Sequence, residues 1–255
     1  MKLGIITDIH NNVDALNAIL NRFDREAVDA IVCLGDIVGI GPWPRETIER
    51  LTGIPNLRVV VKGNHDRYLA EGFPDPMKYR ARDDEVRFKE WERGILDAKA
   101  KSYLAALPVD AWMNISGYRI YVTHYPLDEE GCYVRHIPFV LEATPEQIKG
   151  LFQPIDADII LYGHNHRPSL IRDDKWYINV GALGCPGLDL TIARAGILHF
   201  PESPARCRET DCACRTWPEL QLIREPYDVS RAIDAINRLD CPGRELILSI
   251  FYGLR

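Results

Sequence analysis

Residues 2–36 read KLGIITDIHNNVDALNAILNRFDREAVDAIVCLGD, and this opening sets the architecture of the chain. An aliphatic run, residues 3–7, stops at Asp8 and His10. Val13, Leu16, Ile19, Leu20 and Phe23 then fall three and four apart, the spacing of one apolar helix face, with Asn11 and Asn12 in front as candidate caps. A second run, residues 30–34, ends at Gly35 and Asp36. Strand, helix, strand is the beginning of a layered α/β fold.

Similar short runs of β-branched and aliphatic residues recur at 58–61, 119–123, 158–162 and 176–180, separated by helical or irregular stretches. Residues 78–101 carry both signs of charge, with Asp83 and Arg87, and Glu85 and Lys89, at helical i,i+4 spacing and a narrow apolar stripe of Phe88, Trp91 and Ile95. That segment reads as a surface helix, either covering a cleft or simply solvated. Beyond residue 180 the β-like runs are expected to be shorter, followed by a helix over 228–239 on Val229, Ala232, Ile233 and Ile236. No repeat or linker divides the chain. Its 255 residues, 46% of them hydrophobic, suit one domain spanning 1–255 with a small helical cap around 78–105.

Composition excludes several classes of function. The first apolar run is too short for a signal peptide or a membrane span, and no other stretch nears the roughly 18 apolar residues that a spanning helix needs. A cytoplasmic protein without a membrane partner is expected. Seven cysteines form an odd set, and Cys33 lies inside an apolar run as a small hydrophobe, which argues against a disulfide framework. A formal net charge of −6 opposes duplex nucleic acid. It leaves small phosphorylated substrates open, because bound cations can dominate a local field.

Five of the six runs are followed at once by residues able to bind metal: Asp8 and His10, then Asp36, then Asn64, His65 and Asp66, then His124, then His164 and His166. In open α/β sheets, ligands gather beyond the carboxyl ends of the strands, so these segments can converge on one cleft. Asp8 and His10, like His164 and His166, stand two apart and in extended backbone would point to one side. Gly35, Gly63 and Gly163 each precede a candidate ligand, where a chain leaving a strand needs an unusual angle or close approach. Alone, each residue has an ordinary explanation as a turn, a cap or a core histidine. Together, five of seven histidines placed after strands have no explanation in stability, and a mixed nitrogen and oxygen donor set suits Mn, Fe, Zn, Co or Ni better than Ca or Mg.

The ordered series Asp8-Ile9-His10, Gly35-Asp36, Gly63-Asn64-His65-Asp66, Thr123-His124 and Gly163-His164-Asn165-His166 resembles the calcineurin-like metallophosphoesterases, in their compact prokaryotic branch. It departs only at Asn165, where that branch often has threonine. The resemblance implies a four-layer αββα sandwich with two central mixed β-sheets. It implies that Asp8, His10 and His166 hold one divalent ion, that Asn64, His124 and His164 hold a second, and that Asp36 bridges them, with manganese the first candidate metal. Two aspartates offset only half the charge of two such ions, so the site would attract a phosphate oxyanion. Paired ions about 4 Å apart would activate a shared water as hydroxide for in-line attack on phosphorus. His65 would donate a proton to the leaving oxygen or stabilise charge there, with Asp66 either orienting it or capping the turn. The implied activity is hydrolysis of phosphodiesters or nucleotide phosphoanhydrides, with a small phosphorylated molecule, a nucleotide among the candidates, as partner. The alternative is a catalytically silent scaffold or interaction protein that keeps the fold.

Weaker features surround this series. Gly39-Ile40-Gly41-Pro42-Trp43-Pro44 forms a tight loop in which Trp43 either faces a substrate base or packs on the next helix. Arg67 either meets a substrate phosphate or pairs with a carboxylate. Cys207, Cys212 and Cys214 lack the paired spacing of common zinc sites. His136 and His199 lie outside the series and default to local hydrogen bonds.

Overall fold

The computed structural model of the chain describes residues 1–72, 83–126, 144–185, 189–201 and 216–254, apart from the side chain of Ile250. The opening runs as its sequence predicts. Strand β1 (Lys2–Ile6) leads to helix α1 (Val13–Arg25), which returns to β2 (Ala30–Cys33). Asn12 is the helix cap, its side chain accepting from the Ala15 N–H, and Ala15, Leu16, Ile19, Leu20 and Phe23 are the buried face. Such a crossover makes β1 and β2 parallel, and β3 (Leu57–Val60) extends the sheet after helix α2 (Pro44–Thr52). On the other side of β1, the antiparallel strands β9 (Ile192–His199) and β10 (Glu219–Pro226) complete the order β10-β9-β1-β2-β3. These two are eight residues each, so the shorter runs expected after residue 180 are in fact long antiparallel strands.

The second sheet has the order β4-β5-β6-β8-β7. A hairpin of β4 (Asp110–Ile115) and β5 (Tyr118–Thr123) starts it, β6 (Ile159–Leu161) and β8 (Trp176–Asn179) continue it in parallel, and β7 (Ser169–Arg172) closes it antiparallel. Leu3, Ile5, Ala30, Val32 and Leu198 from the first sheet meet Ile120, Val122, Ile159, Leu161 and Ile178 from the second in one core. The outer face of the first sheet is covered by α1 and α2, with Leu69 of α3 (Asn64–Glu71) and Leu104 of α5 (Ala98–Ala106). Ile148 of α6 (Pro145–Leu151) and Phe152 cover Tyr121, Ile160 and Tyr177 on the other. The result is the expected αββα sandwich, and strands buried on both faces explain why the sequence shows continuous apolar runs.

A further cluster packs on the loops beyond the strand ends. It joins Ile40 and Ala182 to Phe88 of α4 (Asp83–Ile95), Ala232 and Ile236 of α7 (Val229–Arg238), and Ile247 and Tyr252 of α8 (Arg244–Tyr252). Of the segment around 78–105, the described residues form α4, which reaches these loops through Phe88, and α5, which packs on the outer face of the first sheet. The α4 stripe differs from its sequence reading. Ile95 is 45% exposed, whereas Lys89 and Glu92 are buried beside Phe88, because the helix turns a charged pair and not an aliphatic residue toward the loops. No helix among the described residues is long and apolar enough to cross a membrane. Cys33, Cys185 and Cys241 are free thiols. Cys207, Cys212, Cys214 and His136 lie outside the described residues. His199 makes a local contact, Nε2 to Gln221 Oε1 at 3.0 Å.

Candidate metal centre

All seven proposed ligands sit just past the ends of β1, β2, β3, β5 and β6, and five of them are not in extended backbone. Asp8, His10, Asp36, His164 and His166 have φ of 53°, 49°, 50°, 71° and 57°. The left-handed region is uncommon for non-glycine residues and tends to concentrate where a site over-determines the backbone. Here the loops are laced to one another: the N–H groups of Asp8, His10 and Asn11 donate to the carbonyls of Gly35, Asp36 and Ile37, each at 3.0 Å. Asp8 and His10 thus face one site through left-handed turns and not through strand alternation. Gly63 and Gly163 are required by close approach, since a Cβ would stand 2.1 Å from Asp36 Oδ1 at Gly63 and 2.1 Å from Thr7 Oγ1 at Gly163.

Each aspartate is held by one oxygen and turns the other inward. Asp8 Oδ2 accepts from Thr7 Oγ1 at 2.7 Å and from the His164 N–H at 3.1 Å, which leaves Oδ1 buried without a hydrogen-bond partner. That oxygen lies 3.7 Å from His10 Nε2 and 3.4 Å from His166 Nε2, and the two ring nitrogens are 3.0 Å apart. Asp36 Oδ1 accepts from the His65 N–H at 2.8 Å, while Oδ2 lies 3.9 Å from His10 Nε2 and 3.3 Å from His124 Nε2. Asn64 Oδ1 stands 3.1 Å from His124 Nε2 and 2.9 Å from His164 Nδ1. His124 Nδ1 is 2.8 Å from the Leu34 carbonyl, so it donates there and its Nε2 faces the Asn64 oxygen. The two atoms are reconciled by a proton on Nε2, by a cation between them, or by the amide turned to donate from Nδ2. Among the described residues the donors form three overlapping groups, Asp8–His10–His166, His10–Asp36–His65 and Asp36–His124–His164, and the orphaned Asp8 oxygen fits a divalent cation.

The electrostatics carry the same strain. Burial would raise Asp8, but the close approach of His166 and the charges of His166 and His124 hold it at about 2. Asp36 is likewise raised by burial and driven well below its ordinary value by His124, His65 and His10. Burial pushes His10 down to about 4 and His164 down to about 3. His124 resists burial because Asp36 faces it, and rises to about 9. Without cations, protons must fill the roles that carboxylate neighbours demand.

His65 and Asp66 part company in the structure. Asp66 does not orient His65: Oδ1 accepts from the Ile37 and Val38 N–H groups at 2.9 and 3.1 Å, and Oδ2 from the Gly63 N–H at 2.8 Å. It is the cap that ties the loop after β2 to the start of α3. The partner of His65 Nδ1 is Lys89 Nζ at 2.5 Å. Burial, then the Lys89 charge, drive His65 well below its ordinary value, so its ring is neutral. Arg67 Nε pairs with Glu71 Oε2 at 3.0 Å, and the Trp43 ring, half-buried against the C-terminal helices, carries the Arg231 guanidinium 4.6 Å from its centroid. Arg67 follows its carboxylate-pairing alternative, whereas Trp43 packs on the C-terminal helices and not on the next helix α2.

Sequence reasoning missed Thr7 and Asn179. The latter donates from Nδ2 to the Gly163 carbonyl at 2.9 Å and accepts the Gly181 N–H at 2.8 Å, which fixes the loop carrying His164 and His166. A buried asparagine at the end of an apolar run is the only local signal it leaves. Lys89, Glu92 and Asn11 leave none that distinguishes them from surface residues.

Residues 1–200 match the model of the calcineurin-like phosphoesterase superfamily domain. The chain is 27% identical over 255 residues to an uncharacterized protein of Methanocaldococcus jannaschii, covering 93% of each. It is 26% identical over 191 residues to the phosphodiesterase YfcE of Escherichia coli, covering 73% of this chain and 81% of that one. Its fold is similar to the crystal structure of a metallophosphoesterase from Sphaerobacter thermophilus, with a TM-score of 0.69, 24% identity and coverage of 99% and 98%.

Proposed function

Since the chain belongs to the calcineurin-like phosphoesterase superfamily and is a hydrolase of phosphoesters, we propose that it uses two divalent ions, manganese first and Fe, Zn, Ni or Co as alternatives, to cleave phosphodiesters or nucleotide phosphoanhydrides in the cytoplasm. The observation that carries this reading is the inward oxygen of Asp36, within 3.9 Å of His10 Nε2 and 3.3 Å of His124 Nε2 and therefore between the two donor groups. Asp8, His10 and His166 are the proposed holders of one ion, and Asn64, His124 and His164 of the other. Bound there, two such ions would supply an activated water and a positive clamp for the phosphoryl oxygens.

The residues of the chain do the rest. The His65 N–H fixes Asp36 so that one carboxylate oxygen stays turned inward. The Leu34 carbonyl holds the His124 ring, and Asn179 holds the Gly163 loop. His65, outside both ion groups in this reading, hydrogen-bonds the leaving oxygen as charge develops on it. Asp66 keeps the loops after β2 and β3 in register with each other.

The reading is tested by metal analysis combined with a panel of phosphomonoesters, phosphodiesters and nucleotide anhydrides under Mn, Fe, Zn, Ni and Co. About two ions per chain and turnover of a diester or anhydride are expected. No turnover under any metal would favour the silent scaffold, and full turnover in metal-stripped protein would exclude a metal role.

A further inference from the structure

Residues 83–95, DDEVRFKEWERGI, should form a helix with its charges in water, because a buried ammonium costs several kcal/mol unless it is paired and hydrogen-bonded. Helix α4 instead buries Lys89, 4% exposed, and Glu92, 1% exposed. The pair is held at both ends. Lys89 Nζ is 3.4 Å from Glu92 Oε2, and Glu92 Oε1 accepts from Asn11 Nδ2 at 2.8 Å, which also donates to the Gly41 carbonyl at 2.9 Å. Asn11 follows His10, and Gly41 belongs to the loop after Asp36.

Lys89 Nζ also lies 2.5 Å from His65 Nδ1. An ammonium offers hydrogens only, so Nδ1 accepts and the ring hydrogen belongs on Nε2. The Gly39 backbone presses against the same side of the ring, since a Cβ there would stand 2.4 Å from Nδ1. One ring nitrogen of His65 lies within 4.8 Å of the inward atoms of His10 and Asp36.

We propose that Lys89, anchored by Glu92, is the positioning residue for His65, fixing the Nε2–H tautomer and presenting that N–H to the leaving oxygen of the phosphoester. This rests on the phosphoester reading of the site. The buried ammonium also polarises the imidazole, so the N–H is a stronger donor to an oxygen that gains negative charge. A helix that looks like a solvated face in sequence thereby completes the site.

The test reads the tautomer and the kinetics separately. Nitrogen-15 NMR of the zinc-loaded wild type, with the His65 signal assigned by its loss in His65→Gln, should show hydrogen on Nε2 and none on Nδ1. In Lys89→Met the fixed tautomer should be lost while metal content is kept. Its kcat on an alkyl phosphodiester should fall roughly 10- to 100-fold, the usual size of an orienting contact, with KM within about twofold. Added to His65→Gln, Lys89→Met should cost less than about twofold, because the two act as one unit. A purely structural role would instead give additive losses and lower metal content, and would overturn the proposal. If Lys89→Met does not fold, the wild type decides alone, since hydrogen on Nδ1 excludes Lys89 as its donor. A wild type that shows Nε2–H but turns over no phosphoester with any metal refutes the proposed function and leaves the positioning intact.

Discussion

At Asp36 two demands meet in one side chain: Oδ1 is occupied by the His65 N–H, and Oδ2 is shared between His10 and His124. Replacing it with alanine removes a shared charge and an anchor for α3 together. Asp36→Ala should therefore lose metal at both positions and nearly all activity, measured as ions per chain and turnover, and two retained ions with normal turnover would refute bridging. His65 asks a different question, because hydrogen bonding to a leaving oxygen matters most when that oxygen is a poor leaving group. His65→Gln should keep both ions yet lose roughly 100-fold or more on an alkyl ester, within the usual range of acid–base contributions, and less on a nitrophenyl ester. Loss of metal would instead move His65 into the ligand set, as its place beside His10 and Asp36 allows.

Elements carry the site through their ends, and the turn from β3 into α3 shows how tightly. Gly63 has φ −91° and ψ 176°, an ordinary extended conformation, so alanine there meets no backbone strain. Its Cβ would nevertheless lie 2.1 Å from Asp36 Oδ1 and 2.2 Å from the Asp36 nitrogen. Gly63→Ala should thus cost about 1–3 kcal/mol by overpacking, seen as a lower midpoint of denaturant unfolding, with a larger loss of metal occupancy than of stability. An unchanged metal content would show that the loops can part without harm. Steric need of this kind is legible as glycine before Asp36, Asn64 and His164, as are β1, β2 and α1, because burial on both faces and on one helical face writes a pattern into the chain. The left-handed backbone at His10, His164 and His166 was not legible, since histidine carries no strong preference for it and only the lacing of loops imposes it. Lys89 and Glu92 leave no distinct signal for a related reason: a buried ion pair is a tertiary event, and its sequence is that of a wet helix.

Across the whole molecule, the proposed ligands come from both sheets. Asp8, His10, Asp36 and Asn64 follow strands of the first sheet, whereas His124, His164 and His166 follow strands of the second. Each proposed ion would draw ligands from both, and so would join the two halves of the sandwich at the edge of their shared core. A cation that binds the folded chain and not the unfolded one stabilises it by mass action, by about 2.7 kcal/mol at a free concentration 100 times its Kd. For a chain of this size each kcal/mol is worth about 2–4 °C, so saturation should raise Tm by roughly 5–10 °C per site. Chelated protein should accordingly unfold earlier in a calorimetric scan, lose activity, and recover both on addition of Mn, Ni or Co. Asp36→Ala should show little of that thermal response, because the residue proposed to hold both ions is gone. If chelation abolished turnover but left Tm unchanged in the wild type, the ions would not favour the folded chain over the unfolded one, and a preformed two-ion site built from His124, His164 and His166 together with the first-sheet ligands would fail.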